Sequence, residues 1–474
     1  MRTPDPATIG QSPTVTTPPS PIGALKGRPD TLDGHMTTPA PGTAPASSTR
    51  ATAPPGAAPH PPPGGDPPLS GDGAAPPPAP LPATGTAGGE LRRARIAVYL
   101  LFLTSGVAVG VWTARIPALK ERLQIGEGEL SVALLAIAGG AFIGMQIVGP
   151  LVDRLGTTRV LTPVAFAQVL VLLLPAAMPS LWTLIAALLV FGAVLGMLDV
   201  SMNANAVQVE RRHGRPMMSS FHAVFSIGGF LGAAQGGLFA YAGIGPWTTL
   251  AAAAAALTVP VVLAARWVLR VGPEPRRPGA RGRVRVREVL FLGALAFCCL
   301  VGEGAAADWG SVYLREDLGG SQGFAAAAYA AFSITMTAGR FAGDRLAAWL
   351  GPVTLVRCCG ILAGAGLGAG LLAAHPVAAV AAFACFGAGL SCTVPQVFSA
   401  AGNRDPARAG QALARVAGLG YLGMLAGPVL IGAISEVVGL PAALAVPAVL
   451  ALFVAVTAGA VRPAAAGREP APAA

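Results

Sequence analysis

The chain has 474 residues, 53% of them hydrophobic and only 11% charged, with a formal net charge of +10. Soluble domains carry about 25% charged residues, so this composition excludes an ordinary soluble globular protein and points to a chain that faces lipid. Residues 1–90 hold four basic against six acidic side chains, so the whole basic excess lies in residues 91–474. No basic stretch there is interleaved with aromatics, which argues against nucleic acid as a partner and for membrane topology as the cause.

In chain order, residues 1–90 read as a disordered tail rich in Pro, Ala and Thr. Runs such as Pro61-Pro-Pro-Gly-Gly-Asp-Pro-Pro68 cannot bury a core. No charged n-region precedes an apolar h-region, so the tail is not a signal peptide. Twelve apolar segments follow, each near the roughly 20 residues that a bilayer crossing needs. They are predicted at 96–118, 129–151, 160–178, 181–206, 217–241, 247–269, 289–313, 323–349, 353–374, 377–400, 411–437 and 441–461. The fold class is therefore an all-α membrane protein. Residues 91–269 are predicted as one six-helix bundle, 270–288 as a basic linker, 289–462 as a second six-helix bundle and 463–474 as a short tail.

Loop charge sets the orientation. Arg154, Arg159, Arg211, Arg212, Arg215, seven arginines from Arg270 to Arg287, Arg345, Arg404 and Arg408 fall on one side. Arg115, Lys120, Arg122 and Arg315 fall on the other, offset by Glu121, Glu127, Glu129, Glu316 and Asp317. The arginine-rich side, with both termini, is expected in the cytoplasm, and the chain in the cell membrane, most simply as a monomer. The halves also repeat. Asp153-Arg154 and Asp344-Arg345 lie 191 residues apart, Gly228-x-x-x-Gly232 and Gly423-x-x-x-Gly427 lie 195 apart, and Trp112 and Trp309 lie 197 apart. Internal duplication of this kind builds a central site that opens to either side of a membrane.

Ionisable groups inside a span cost a few kcal/mol to insert and usually face a cavity or a partner. Gly192, Gly196, Asp199 and Asn203 share one helical face, which suggests a titrating acid beside a substrate amide. Glu303 sits in the middle of the seventh segment between Gly302 and Gly304, which could let that helix unwind and expose carbonyls. His222 can titrate near neutral pH, and Gln396 is a further polar candidate. Toward the opposite side, Trp112 and Arg115 match Asp308 and Trp309 in depth. An Arg115–Asp308 pair closing an outer gate is one reading, and an interfacial tryptophan belt is the other. The six cysteines lie in apolar runs without metal-ligand spacing or accompanying His, so they read as buried thiols. No Walker loop, His-Glu-x-x-His or Gly-x-Ser-x-Gly occurs, so an enzyme, an ATP-driven pump and a metal or organic cofactor are not expected.

The loop Gly149-x-x-x-Asp153-Arg154-x-Gly156, its echo Gly339-Arg-Phe-Ala-Gly-Asp-Arg345 and the six-plus-six organisation resemble the major facilitator superfamily across about residues 95–465. The resemblance implies two pseudo-symmetric bundles around a central cavity. It also implies that Gly149, Asp153, Arg154 and Gly156, with Arg340, Asp344 and Arg345, brace the bundles on the cytoplasmic side. The echo has Ala347 where a second glycine would stand. Leu198-Asp199-x-x-x-Asn203, Ser219-Ser-Phe-His-x-x-Phe-Ser-Ile-Gly-Gly229 and Val394-Pro-Gln-Val-Phe-Ser399 are most similar to the fucose permease-like branch, which implies that Asp199 couples transport to protons. The function so implied is secondary transport of a small solute, with a sugar as the first choice and protons as co-substrate. Proton-driven efflux of a drug or metabolite stays open as an alternative. So does a transporter-like sensor or scaffold that uses the tail.

Overall fold

In a bilayer every backbone N–H and C=O must find its partner within the protein, so long apolar segments are driven into helices. A computed structural model describes residues 85–270, 272 and 286–463, and among them there is no strand. Twelve long helices follow one another. They are α1 (Gly85–Leu123), α2 (Glu127–Leu155), α3 (Thr157–Ala177), α4 (Leu181–His213), α5 (Met218–Tyr241) and α6 (Pro246–Trp267) in the first half. The second half has α7 (Val286–Asp317), α8 (Gln322–Leu350), α9 (Pro352–Ala373), α10 (Pro376–Arg404), α11 (Pro406–Val438) and α12 (Leu440–Val461). Eleven are long and apolar enough to cross a membrane; α8, with 29 residues, completes the set.

The predicted segments all fall inside these helices or within a residue or two of their ends, with two notable differences. α1 starts at Gly85, inside the stretch assigned to the tail; the rest of that tail, residues 1–84, lies outside the described residues, as do most of the expected linker and of the short C-terminal tail. α4 runs on to His213, so Arg211 and Arg212 are helical and not in a loop. Cations suit the last turn of a helix, and Gly214 ends it at φ 70°.

The halves are built alike. α1 packs on α5 and α6, α2 on α4, and α3 on α4 and α6; α7 packs on α11 and α12, α8 on α10, and α9 on α10 and α12. The halves meet mainly through two pairs, α2 with α11 and α5 with α8, which a two-fold exchange of halves converts into one another; α4 and α5 also touch α10, and α4 touches α11. Glycines make these contacts close. A Cβ on Gly228 or Gly232 would run into the α1 backbone at Leu103 and Val107, and one on Gly423 or Gly427 into the α7 backbone at Phe297 and Val301. These are small-residue helix seams. Gly192 and Gly196 do the same against Ile137 and Ala141 of α2, so their close approach is to a helix and not to a ligand.

The structure corrects two local expectations. α7 passes through Gly302, Glu303 and Gly304 as unbroken helix. Those glycines are used for packing, against Phe386 and against the Met424 carbonyl, and only a π-turn at Tyr313–Asp317 departs from α-helix. The break lies instead in α10, at Ser391 and Cys392, where Pro395 has no N–H for the carbonyl four residues before it. The missing glycine of the echo is also found. α8 continues past Ala347 and ends at Gly351, with φ 76° and ψ 157°, matching Gly156 at φ 86° and ψ 148°.

That backbone region is open essentially to glycine alone, and other residues there cost of order 1–3 kcal/mol. Gly156→Ala and Gly351→Ala are therefore each expected to lower the thermal unfolding midpoint of the purified protein by similar amounts. A variant that melts with the unsubstituted chain would mean its turn is not built this way.

Candidate functional site

The arginine-rich ends of the helices are closed by carboxylates set on helix N-termini. The first amides of a helix have no partner within it and carry a partial positive charge. Asp153, at the end of α2, accepts from the backbone N–H of Gly410 at 2.8 Å and of Gln411 at 3.1 Å, and from Gln411 Nε2 at 3.0 Å. Asp344, at the end of α8, accepts from Ser219 and Ser220 N–H at 2.9 and 3.1 Å. The two acids are 191 residues apart, and so are their partners, so a single contact is made twice with the halves exchanged. Gly149 lets α2 approach, since a Cβ there would lie 2.9 Å from Ala414 Cβ; at Gly343 it would lie 2.6 Å from Ser219 Oγ. Arg154 and Arg345 are exposed and bond to nothing among the described residues. The acids hold this seam and the arginines stand outside it.

Glu210 adds a third carboxylate that the sequence reading missed. Its Oε2 accepts from Met217 and Met218 N–H at 2.8 and 3.0 Å, and its Oε1 accepts a short bond from the Ser399 hydroxyl of α10. Beside Arg211 and Arg212 it looks like a loop residue, and only its placement within α4 shows otherwise.

Deeper in the bundle, polar groups from both halves meet. Arg340 of α8 donates from Nη1 to Ser226 Oγ of α5 at 2.7 Å, and its Nη2 lies 3.8 Å from Glu303 Oε2 of α7. Arg340 was expected in the brace with Asp344. It stands one helical turn further in, at a buried position, and belongs to the central cluster. Asn203 donates from Nδ2 to Asp199 Oδ1 at 3.1 Å and to the Asp199 carbonyl at 2.8 Å, while its own Oδ1 is buried without a partner. Tyr421 of α11 packs against the buried core, a placement that no motif signals. His222 is wedged between rings, 5.2 Å from Phe102 and 5.8 Å from Phe398 by centroids, and its Nε2 is unpartnered. Gln396 of α10 is buried, with 5% exposure.

At the opposite ends the expected outer pair is not made. Arg115 is buried and donates to the Ile244 carbonyl at 2.7 Å, while Asp308 is exposed. Neither tryptophan belongs to an interfacial belt. Trp112 is buried against Phe191 in the first half, and Trp309 donates to the Pro428 carbonyl at 3.1 Å in the second. The exposed aromatics at helix ends are others: Trp182, Tyr241, Trp247 and Trp349. Of the cysteines, Cys298, Cys299, Cys359 and Cys392 are buried, but Cys358 is exposed and Cys385 partly so. A cavity of about 880 Å³ opens between α5 and α8, with Glu303, Ser226 and Arg340 in its lining and Phe230 and Ile334 largely exposed along it.

Residues 97–410 match the Major Facilitator Superfamily. The chain is 34% identical over 367 residues to an uncharacterized MFS-type transporter of Yersinia pestis, covering 77% of this chain and 95% of that one. It is 32% identical over 359 residues to the membrane protein MosC of Rhizobium meliloti, covering 73% and 85%. Among solved structures it is similar to FucP, the fucose:proton symporter of E. coli, in its outward conformation, with TM-score 0.67 and 17% identity over 78% of this chain and 98% of that one. It is also similar to the human organic anion transporter MFSD10, with TM-score 0.64 and 16% identity over 78% and 99%. The twelve helices in two exchanged halves, the seam at Asp153 and Asp344 and these matches agree: the chain belongs to the Major Facilitator Superfamily and is a membrane transporter of small solutes.

Proposed function

We propose that the protein is a proton-coupled secondary transporter of a small polar solute that works by alternating access as a single chain in the cell membrane. The arginine-rich face is read as cytoplasmic, with both termini there. The seams at Asp153, Asp344 and Glu210 then make this an outward-facing state. The central cluster carries the reading. Glu303 and Arg340 put an acid and a base where α5, α7 and α8 from both halves converge, Asp199 puts a second acid inside α4, and intramembrane charges of this kind mark ion and substrate pathways. A proton on Glu303 would remove the charge that faces Arg340, and a proton on Asp199 would remove a buried charge beside Asn203. Either changes the relative free energy of the two access states. Asn203, Gln396 and His222 supply hydrogen-bonding groups for a hydroxylated solute. A sugar is the first choice, in keeping with the motifs shared with the fucose permease-like branch. Arg115, Asp308, Trp112 and Trp309 would form the opposite gate once the outer ends close.

A second reading, proton-driven export of an amphiphile, is favoured by the cavity between α5 and α8. Phe225, Phe230, Tyr329, Phe332 and Phe341 line it, and aromatic walls suit apolar ligands better than sugars.

In proteoliposomes with an imposed pH gradient, Asp199→Asn and Glu303→Gln are expected to abolish uphill accumulation of the transported solute and the accompanying proton flux while leaving solute exchange in place. If both variants accumulate normally, proton coupling through these groups is wrong. A panel of sugars, polyols and lipophilic drugs in the same vesicles separates the two substrate readings.

Asp153→Asn should release the seam at the arginine-rich face. Hydrogen bonds to a charged group are worth about 1.5–3 kcal/mol each, so losing the charge is expected to shift the population by roughly thirtyfold for ~2 kcal/mol. Spin labels on the exposed positions Arg212 and Arg345, in opposite halves, should report a longer distance in the variant. An unchanged distance distribution would show that the seam does not control this opening.

A further inference from the structure

A second cleft, of about 550 Å³, lies at the arginine-rich face where α1 enters and α6 leaves the bundle. Arg93 of α1 and Arg266, Trp267 and Arg270 at the end of α6 line it, together with Gly89 and one acid, Glu90, so three arginines face a single carboxylate. Arg93, Arg266 and Arg270 are exposed and make no ion pair or hydrogen bond with any described residue. Arg154 and Arg345 are free in the same way, whereas two other arginines at helix ends are occupied. Arg122 donates to the Met178 carbonyl at 2.8 Å, and Arg404 to the Ala460 carbonyl at 2.5 Å while facing Glu288 at 3.5 Å. The end of α6 is also held in place, since Thr158 Oγ1 donates to the Leu269 carbonyl at 2.8 Å and Asn205 Nδ2 to the same oxygen at 3.5 Å. Arg266 and Arg270 therefore hang from a fixed segment, with Arg93 of α1 on the same cleft. Residues 271–288 supply six more arginines against Glu274 and Glu288 alone, so the neighbouring sequence adds positive charge and not the missing anion. Below the cleft, Ile96 is 37% exposed on α1, and Trp267 sits at the apolar–polar boundary, where tryptophan favours the headgroup layer.

We propose that this cleft holds the phosphate of an anionic phospholipid, with Arg93, Arg266 and Arg270 donating to its oxygens and Trp267 lying against the glycerol region. The inference depends on the membrane orientation above only for which leaflet supplies the lipid. Guanidinium groups pair phosphate oxygens in a fixed fork, and basic residues near a membrane surface attract anionic lipid by about 1 kcal/mol each, which is about fivefold in affinity per arginine.

The test uses the full-length protein in mild detergent. Native mass spectrometry and thermal unfolding are followed with added phosphatidylglycerol, phosphatidylcholine, or water-soluble glycerol phosphate. Phosphatidylglycerol is expected to stay bound and to raise the unfolding midpoint, phosphatidylcholine to do neither, and R93Q/R266Q/R270Q to lose the effect. R315Q, on the opposite face, should retain it. Because the three side chains are exposed, the triple variant should keep its unfolding transition in the absence of lipid. If it does not fold, single R266Q must still weaken binding about fivefold. Equal stabilisation of the triple variant and the unsubstituted protein would overturn the proposal. So would glycerol phosphate reproducing the whole effect, which would assign the cleft to a soluble phosphate.

Discussion

A buried carboxylate on a helix N-terminus is the contact on which the architecture turns. The first four amides of α5, at Met217, Met218, Ser219 and Ser220, are taken in pairs by Glu210 and Asp344, and Asp153 takes two amides of α11. A carboxylate removed from water loses several kcal/mol of solvation, and a helix start removed from water leaves donors unpaired. Each satisfies the other here, and neither has an equal partner once the seam opens unless water enters. That makes the seam a two-state element, closed and dry or open and wet, which is what alternating access needs.

The glycine seams inside each half have a different task. Where Gly228 and Gly232 press on α1, and Gly423 and Gly427 on α7, backbone meets backbone with no side chain between. Contacts this close do not slide easily. They make each half stiff and leave the α2–α11 and α5–α8 seams, which are closed by carboxylate–amide bonds, as the surfaces along which the halves can move.

The two seams are not equal. Gly149 stands one helical turn before Asp153, whereas Arg340 stands one turn before Asp344, on the same face of α8. One half uses that position for close approach and the other for a charge that reaches Ser226 and Glu303. The polar cluster is thereby joined through a single rigid helix to the seam at the arginine-rich face. The cleft at α1 and α6 lies at the same face, so an anionic lipid there would contact the half that carries Glu210 and the α5 N-terminus.

Much of this was legible in sequence because a bilayer simplifies the problem. Twelve apolar runs could only become helices, arginine asymmetry marked one face, and the 191-residue spacing of Asp153 and Asp344 announced a repeat. Asp199 and Glu303 stood out because a charge in a span is conspicuous. Pairing across the halves was not legible. Arg340 read as part of a loop signature, Ser226 stood only as one position of a longer motif, and Glu210 and Tyr421 drew no reading at all. Gly302 and Gly304 suggested an unwound helix because local sequence shows a glycine's freedom but not the Phe386 ring or Met424 carbonyl packed against it. Residue type and period determined that this chain spans a membrane as a duplicated helical bundle. Which acid meets which helix end, and which arginine turns inward, was decided only by tertiary packing, since the contacts of Asp153, Asp344 and of Arg340 with Ser226 join residues more than 100 positions apart whose spacing leaves no local trace.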